Sequence, residues 1–288
     1  MPELPEVEAL ANDLSRRLDG RAIVRVDLAA FSALKTFDPP LTSLHGMLVD
    51  GVTRHGKFLD IDVSGTHLVM HLARAGWVRW RDDVPALPAR HSSKSPLAAR
   101  VVLDNGAGLD ITEAGTRKSL AIYVVRDPFE VEGISRLGPD PLADDFTIDV
   151  LKKILDGAGR AQIKGVLRSQ GNIAGIGNAY SDELLHAARM SPFKPSGSLS
   201  EAELQTLYDA VRTVLGDAVR RSTGLAASEL KGEKKSHMSV HGRAGQTCPV
   251  CGDVVREVSF ADSSLQYCAT CQTGGKPLAD RRTSKFLK

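Results

Sequence analysis

The sequence predicts an α+β, multidomain chain. It should hold a mostly antiparallel β-domain with a flanking N-terminal helix, a helical second half, and a C-terminal hairpin built on cysteines. Three observations carry this. Runs up to about Glu132 alternate apolar and polar residues, the period of half-buried strands. After the stretch "LGPDPLADDFT", apolar residues recur at three- and four-residue steps, the period of a helix. All four cysteines then fall between Cys248 and Cys271, where that helical period is lost.

The elements follow in order. "MPELPEVEAL" suits a helix start: a proline tolerates a first turn because its missing N–H would be unpaired there. Glu3, Glu6 and Glu8 would meet the positive end of the helix dipole, and "EVEALANDLSRRL" continues the helix. "HGKFLDIDV", "THLVMHLA", "RVVLDNGAGLDI" and "SLAIYVV" read as strands separated by Gly, Asn and Asp turn signals. "PALPARHSSKSPLAA" has the composition of a surface loop, and "LGPDPLADDFT" that of a linker. "DDFTIDVLKKILDG" and "SLSEAELQTLYDAVRTVLGDAVRRS" read as helices, the second capped by Ser198 or Ser200, with Glu203 completing a capping box for Ser200. The expected divisions are 1–132, a linker 133–150, a helical part 151–235 and a cysteine-bearing part 236–288.

With 288 residues, 42% hydrophobic and 25% charged, the chain has ordinary globular composition and room for about two domains. Its longest apolar runs fall far short of the roughly 20 residues that span a bilayer. No basic-then-apolar signal opens the chain, so a cytoplasmic protein is expected. Net charge is only +2, but Arg220 to Lys288 carries twelve Lys/Arg against six Asp/Glu. A basic tail on an acidic body suits a polyanionic partner, though a solvated surface explains the charge as well.

The cysteine frame is the most specific signal. Cys248 and Cys251, then Cys268 and Cys271, make two C-x2-C knuckles sixteen residues apart. Two knuckles joined by a hairpin can place four thiolates tetrahedrally, which suits one structural Zn²⁺. A disulfide is disfavoured in a cytosolic chain, and a redox Cys-x-x-Cys explains only one pair. Four thiolates leave no open position, so this metal should build structure and do no chemistry.

Two weaker motifs remain. In "GNIAGIGNAYSDELL", Gly175 and Gly177 permit a tight turn and Asn178 stands where a helix starts, a place for an anion or for an ordinary helical corner. A dinucleotide fingerprint fails because no strand precedes it and the third glycine is missing. Lys164 in "AQIKGVL" could add a phosphate contact, and Lys57 in "RHGKFLDI" sits at the mouth of an apolar strand.

Taken together, "PELPEVE", "HGKFL", "LGPDPL", "IAGIGNAYSDELL", "HGRAGQTCPVCG" and "YCATCQ", in that order, resemble the formamidopyrimidine-DNA glycosylase / endonuclease VIII family across nearly the whole chain. The resemblance implies an N-terminal two-layer β-sandwich, a helix–two-turn–helix domain and a zinc β-hairpin, with DNA between the halves. It implies excision of oxidised bases and cleavage of the abasic strand by β/δ-elimination. Pro2 would be the N-terminal nucleophile, Glu3 the general acid/base, and Glu6 a shaper of the same pocket. Lys57 would lie near the damaged nucleotide's phosphate, and Asn178 and Lys164 on flanking phosphates. Partners would be damaged DNA with a flipped nucleotide, duplex or single-stranded. No membrane is implied, and a monomer at the nucleoid is expected.

The chain departs from the family in places. Arg74 replaces a void-filling methionine, Arg117 matches a loop arginine, and Ser119 replaces the phenylalanine that follows it. Ser263 stands where the zinc hairpin commonly carries an arginine, which Arg243, Arg256, Arg281 or Arg282 would have to replace. "STGLAASELKGEKKSHMSVHG" is short where other members place a loop over 8-oxoguanine, and His241 replaces a common tyrosine. These changes bear on the lesion recognised and leave the lyase residues intact.

Overall fold

The computed structural model describes residues 1–85, 95–260 and 263–280. Most of the "PALPARHSSKSPLAA" loop, together with Arg281 and Arg282, lies outside the described residues. The chain divides into two compact units, Met1–Arg136 with Ser222–Leu230, and Leu137–Arg221 with Lys231–Lys288.

In the first unit, helix α1 (Leu4–Leu18) starts at its N-cap Glu3 and carries Arg16 and Arg17 in its last turn, against the negative end of its dipole. The Glu6 carboxylate accepts the Glu3 backbone N–H at 2.8 Å, one arm of a capping box. Val7, Leu10, Leu14 and Leu18 recur at helical spacing and are buried. Their stripe meets a core between two four-stranded antiparallel sheets. One sheet runs β1 (Ile23–Leu28), β6 (Leu97–Leu103), β7 (Gly108–Glu113), β5 (Gly76–Arg81). The other runs β2 (Val49–His55), β3 (Phe58–Val63), β4 (Thr66–His71), β8 (Ala121–Val125). Val78, Val101, Leu109 and Ile111 from one layer and Leu59, Ile61, Leu68 and Met70 from the other share one buried cluster, so the β-sandwich expectation holds.

Three strands escaped the sequence reading: β1, β2 and β5. Register shifts between Ile23 and Arg25 and between Val49 and Gly51 interrupt the two-residue period in β1 and β2. Strand β5 follows a tight crossing from one sheet to the other. A Cβ on Gly76 would lie 2.1 Å from the Leu72 carbonyl oxygen, so only glycine fits there. The stretch Ser222–Leu230 also belongs to this unit. Ala227 and Leu230 join its core, and the Trp77 indole donates to the Ala227 carbonyl at 2.8 Å. A four-residue helix, α2 (Glu132–Ser135), closes the N-terminal segment.

The second unit holds α3 (Ile148–Ala158), α4 (Ile163–Arg168), α5 (Asn178–Ala187), α6 (Glu201–Ser222) and most of α7 (Leu230–Ser236). Of the two capping candidates, Ser200 is the one used. Its hydroxyl accepts the Glu203 N–H at 3.3 Å, and the Glu203 carboxylate accepts the Ser200 N–H at 2.9 Å. The proline-rich connector is fixed on α6, where Arg212 donates to the Pro141 and Ala143 carbonyls and the Tyr208 ring stacks on Phe146. Between α4 and α5 the chain makes the double turn that the family resemblance implies. Gly175, at φ +84°, reverses the backbone there. Gln170 stitches the turn by accepting the Gly175 N–H at 3.0 Å and donating to the Ile176 carbonyl at 2.7 Å. A hairpin, β9 (Val255–Ser259) and β10 (Ser264–Cys268), and the short α8 (Ala269–Thr273) follow. Among the described residues no helix is long and apolar enough to cross a membrane.

Candidate active site and metal centre

One end of the N-terminal unit gathers most of the residues singled out in its sequence. The start of α1 is tied to the β2–β3 turn through Arg54, which donates to Glu8 at 2.6 Å and to the Gly56 carbonyl at 3.2 Å. Lys57 follows in that turn and is buried. Strand pairing sets Phe58 opposite His71, His71 opposite Ala121, and Gly76 opposite Glu113. The Ala114 N–H reaches the Ala75 carbonyl at 3.2 Å. The β2–β3 turn with Lys57, the β4–β5 crossing with Arg74 and the β7–β8 loop with Arg117 therefore open at the same end, beside the first turns of α1. Arg74 and Arg117 are exposed, whereas Glu3 and Glu6 are each 2% exposed. Pro2 is also buried, and Met1 before it is exposed.

Buried carboxylates need donors. Glu6 has the Glu3 N–H, which fixes it against the helix start. Glu113 is likewise buried, and its Oε1 accepts the Ser119 and Leu120 N–H groups at 2.7 and 3.0 Å. Ser119, which stands where the resembled family carries a phenylalanine, thus contributes its backbone to the loop geometry.

His71 went unnoticed in the sequence, where "THLVMHLA" read only as a strand. Burial, and then the neighbouring Lys57 charge, lower its pKa from 6.5 to about 4. The native imidazole stays neutral where an unfolded chain would protonate it. Stability is therefore full above pH 6.5 and lost as pH falls from 6.5 toward 4, by up to about 3 kcal/mol. Urea unfolding at pH 7 and pH 4.5 should show this loss in the wild type and a smaller one in His71→Gln. An equal loss in both would remove His71 as its source.

In the second unit Lys164 is buried, and its ammonium donates to Ser181 at 2.8 Å, to the Asn178 carbonyl at 3.2 Å and to Asp182 in a short ion pair. The ammonium is thus held inside the protein, which turns the expected phosphate contact into an internal clamp on the first turn of α5. The Asn178 amide donates to the Ser264 carbonyl at 2.8 Å, and its Oδ1 is buried without a hydrogen-bond partner among the described residues. His241 Nδ1 lies 2.7 Å from the other Asp182 oxygen. Arg243 donates to the Met238 and Thr247 carbonyls and so braces the loop leading to Cys248. Arg256 is exposed on β9.

The four cysteines converge. Their sulfurs all lie within 4.8 Å of one another, at 3.3 Å for Cys251–Cys268 and 3.9 Å for Cys248–Cys271. The first knuckle is closed by the Cys248 N–H on the Asp253 carbonyl at 2.7 Å, and the second sits at the turn from β10 into α8. Burial opposes a thiolate at Cys248, yet N–H groups of Val250 and Cys251 and the His186 ring bring it below the ordinary thiol range. Burial and the neighbouring sulfurs push Cys271 up. A soft, closed, four-sulfur set of this size fits Zn²⁺ and would hold it without an open position.

Three domain signatures match in order. The formamidopyrimidine-DNA glycosylase N-terminal domain covers residues 1–121, the H2TH domain 137–229, and the zinc finger found in FPG and IleRS 245–274. The chain is 33% identical to a formamidopyrimidine-DNA glycosylase of Symbiobacterium thermophilum, over 98% of this chain and 93% of that one. Over 53% of its length it is 60% identical to an uncharacterized formamidopyrimidine-DNA glycosylase-like protein of Mycobacterium tuberculosis, covering 94% of that protein. The fold is similar to the crystal structure of MutM (Fpg) from Thermus thermophilus, with a TM-score of 0.79 at 30% identity over 96% of this chain and all of that one. It is also similar, at a TM-score of 0.82 and 24% identity, to Lactococcus lactis Fpg solved with abasic-site DNA, over 94% of this chain and 99% of that one. The ordered domains, the full-length relatives and the shared fold agree: the chain belongs to the formamidopyrimidine-DNA glycosylase family.

Proposed function

We propose that this DNA repair glycosylase excises oxidised bases and then cleaves the abasic strand through its own N-terminal proline. One observation carries the reading. Pro2 is followed directly by a buried carboxylate at the head of α1, on the end of the unit where Lys57 is held.

Removal of Met1 exposes the Pro2 nitrogen as a secondary amine. An α-amino group has a pKa near ~8, so a useful fraction is neutral at pH 7. That nitrogen attacks the deoxyribose C1′ and gives up its proton to water, and the damaged base departs with the bonding electrons. Glu3 delivers a proton to the ring oxygen as the sugar opens, leaving a cationic iminium between Pro2 and C1′. The iminium acidifies the C2′ proton. Its loss expels the 3′ phosphate, and δ-elimination of the 5′ phosphate can follow. Glu6 shapes the pocket by holding the Glu3 backbone, and Lys57 serves the phosphate of the damaged nucleotide. Asn178 and Arg243 stay on the strand-binding side of the reading, with Lys164 positioning Asn178 from within. Phosphate contacts of this kind set register and read no sequence.

The target nucleotide must leave the stack for C1′ to be reached. Arg74, exposed at the β4–β5 crossing, suits the vacated space by stacking and by hydrogen bonding to the orphaned base. With Ser119 in place of an aromatic wedge, abasic DNA should react best, formamidopyrimidines or oxidised pyrimidines next, and 8-oxoguanine opposite cytosine least. Borohydride trapping across those substrates tests this order. No covalent species with any of them would sink the enzyme reading. An intact mass that retains Met1 would leave a DNA-binding scaffold alone. Glu3→Gln should slow base excision by about 10²–10⁴-fold. Trapping on a pre-formed abasic site should suffer less, and equal loss on both substrates would move Glu3 out of the base-release step.

A further inference from the structure

Helix α5 is fastened to the cysteine-bearing segment along its whole length. At its start Asn178 donates to Ser264 on β10. One turn on, the Glu183 carboxylate accepts the N–H groups of Ser239, Val240 and His241 at 2.7, 2.9 and 2.8 Å. Just past its end, Gln272 donates to the Met190 carbonyl at 2.9 Å and accepts the Cys268 N–H at 2.9 Å. In the last turn of α5, His186 is buried, with its Nε2 3.4 Å from the Cys248 sulfur. Against a metal-bound thiolate, a ring nitrogen at that distance engages only as a donor, which calls for the Nε2–H tautomer. His186 does not belong to the four-sulfur group, which is complete without it.

A zinc ion held by four thiolates makes a centre of net charge −2, and Cys248 and Cys268 are 1% and 0% exposed. Charge so buried needs N–H donors around it. We propose that His186 is a positioning residue of the metal centre: its Nε2–H donates to the zinc-bound Cys248 thiolate, draws charge from that sulfur, and locks the metal to the helix that begins at Asn178. The bond slows loss of zinc and attack on the sulfur by oxidants. A neutral imidazole suffices, since only the Nε2–H tautomer is required. The proposal concerns the metal centre and stands apart from the lyase chemistry.

The test uses the full zinc-loaded chain. Zinc transfer to a colorimetric chelator, with and without hydrogen peroxide, is timed for wild type, His186→Phe and His186→Gln. His186→Phe should release zinc about tenfold faster. His186→Gln, whose amide can still donate, should stay near the wild type. With cobalt in place of zinc, His186→Phe should shift the sulfur-to-metal charge-transfer band to lower energy and keep the tetrahedral four-sulfur ligand-field bands. Equal release rates for Phe and wild type, or a Gln variant as fast as Phe, would overturn the proposal. Altered ligand-field bands in Phe would make His186 a direct ligand and overturn it also. Cadmium-113 NMR of the wild type needs no variant: a scalar coupling from the metal to the His186 Hε2 across the sulfur is expected, and its absence refutes the bond.

Discussion

Pro2→Gly protein is expected to lose borohydride trapping on abasic DNA by at least about a hundredfold while still binding that DNA. Loss of a covalent nucleophile commonly costs orders of magnitude in the chemical step, because it removes the group that splits one difficult reaction into two easier ones. Glycine keeps an N-terminal amine but loses the ring. The protonated imine formed by a primary amine can shed its proton and its positive charge, whereas the proline iminium cannot. It also adds backbone freedom directly before Glu3, the N-cap of α1. Trapping and equilibrium binding, measured on one abasic duplex, separate chemistry from recognition. Trapping at the wild-type rate would place the covalent bond on another amine, Lys57 being a candidate at the same end of the unit.

Removal of the metal, or Cys251→Ala, should unfold the C-terminal hairpin and leave the N-terminal unit folded. The hairpin has two five-residue strands, and two strands alone are marginal in water. Its own apolar clusters are small: Val240 and Val255 with the cysteines on one side, and Val258, Leu265 and Tyr267 on the other. A structural zinc supplies on the order of 10 kcal/mol of folding free energy in such a motif, far more than those clusters can. With the hairpin gone, Asn178 loses Ser264, and Met190 loses Gln272. DNA affinity should then collapse. Limited proteolysis after chelation should cut between residues 245 and 273, and the sandwich should keep its thermal transition. Resistance to cleavage without zinc would show that the hairpin folds on its neighbours alone.

The architecture was largely legible in the chain. The apolar stripe of α1, the alternation in β3 and β4, the Ser200–Glu203 capping box and the paired C-x2-C knuckles each depend on residues close in sequence. Short-range spacing suffices to announce such features. Strands β1 and β2 were hidden by register shifts, which break the period on which strand reading rests. Ser222–Leu230 joined the N-terminal core because Ala227 and Leu230 found apolar partners more than a hundred residues away, which no local pattern records.

The candidate site divides the same way. Pro2, Glu3, Lys57, Asn178 and the cysteines could be named from short motifs, because each motif keeps its own residues adjacent. Where each side chain's hydrogen bonds go was decided by tertiary structure. Folding turned Lys164 inward onto Asp182, set His71 beside Lys57, and brought His186 to the Cys248 sulfur. By itself the sequence determined the family, the order of domains and the metal-binding frame, since these are written in the types and spacings of neighbouring residues. The fold alone decided which polar groups are buried and what they face. Burial and pairing depend on segments far apart in the chain, and those two quantities set whether a lysine offers its charge outward or gives it to a carboxylate within.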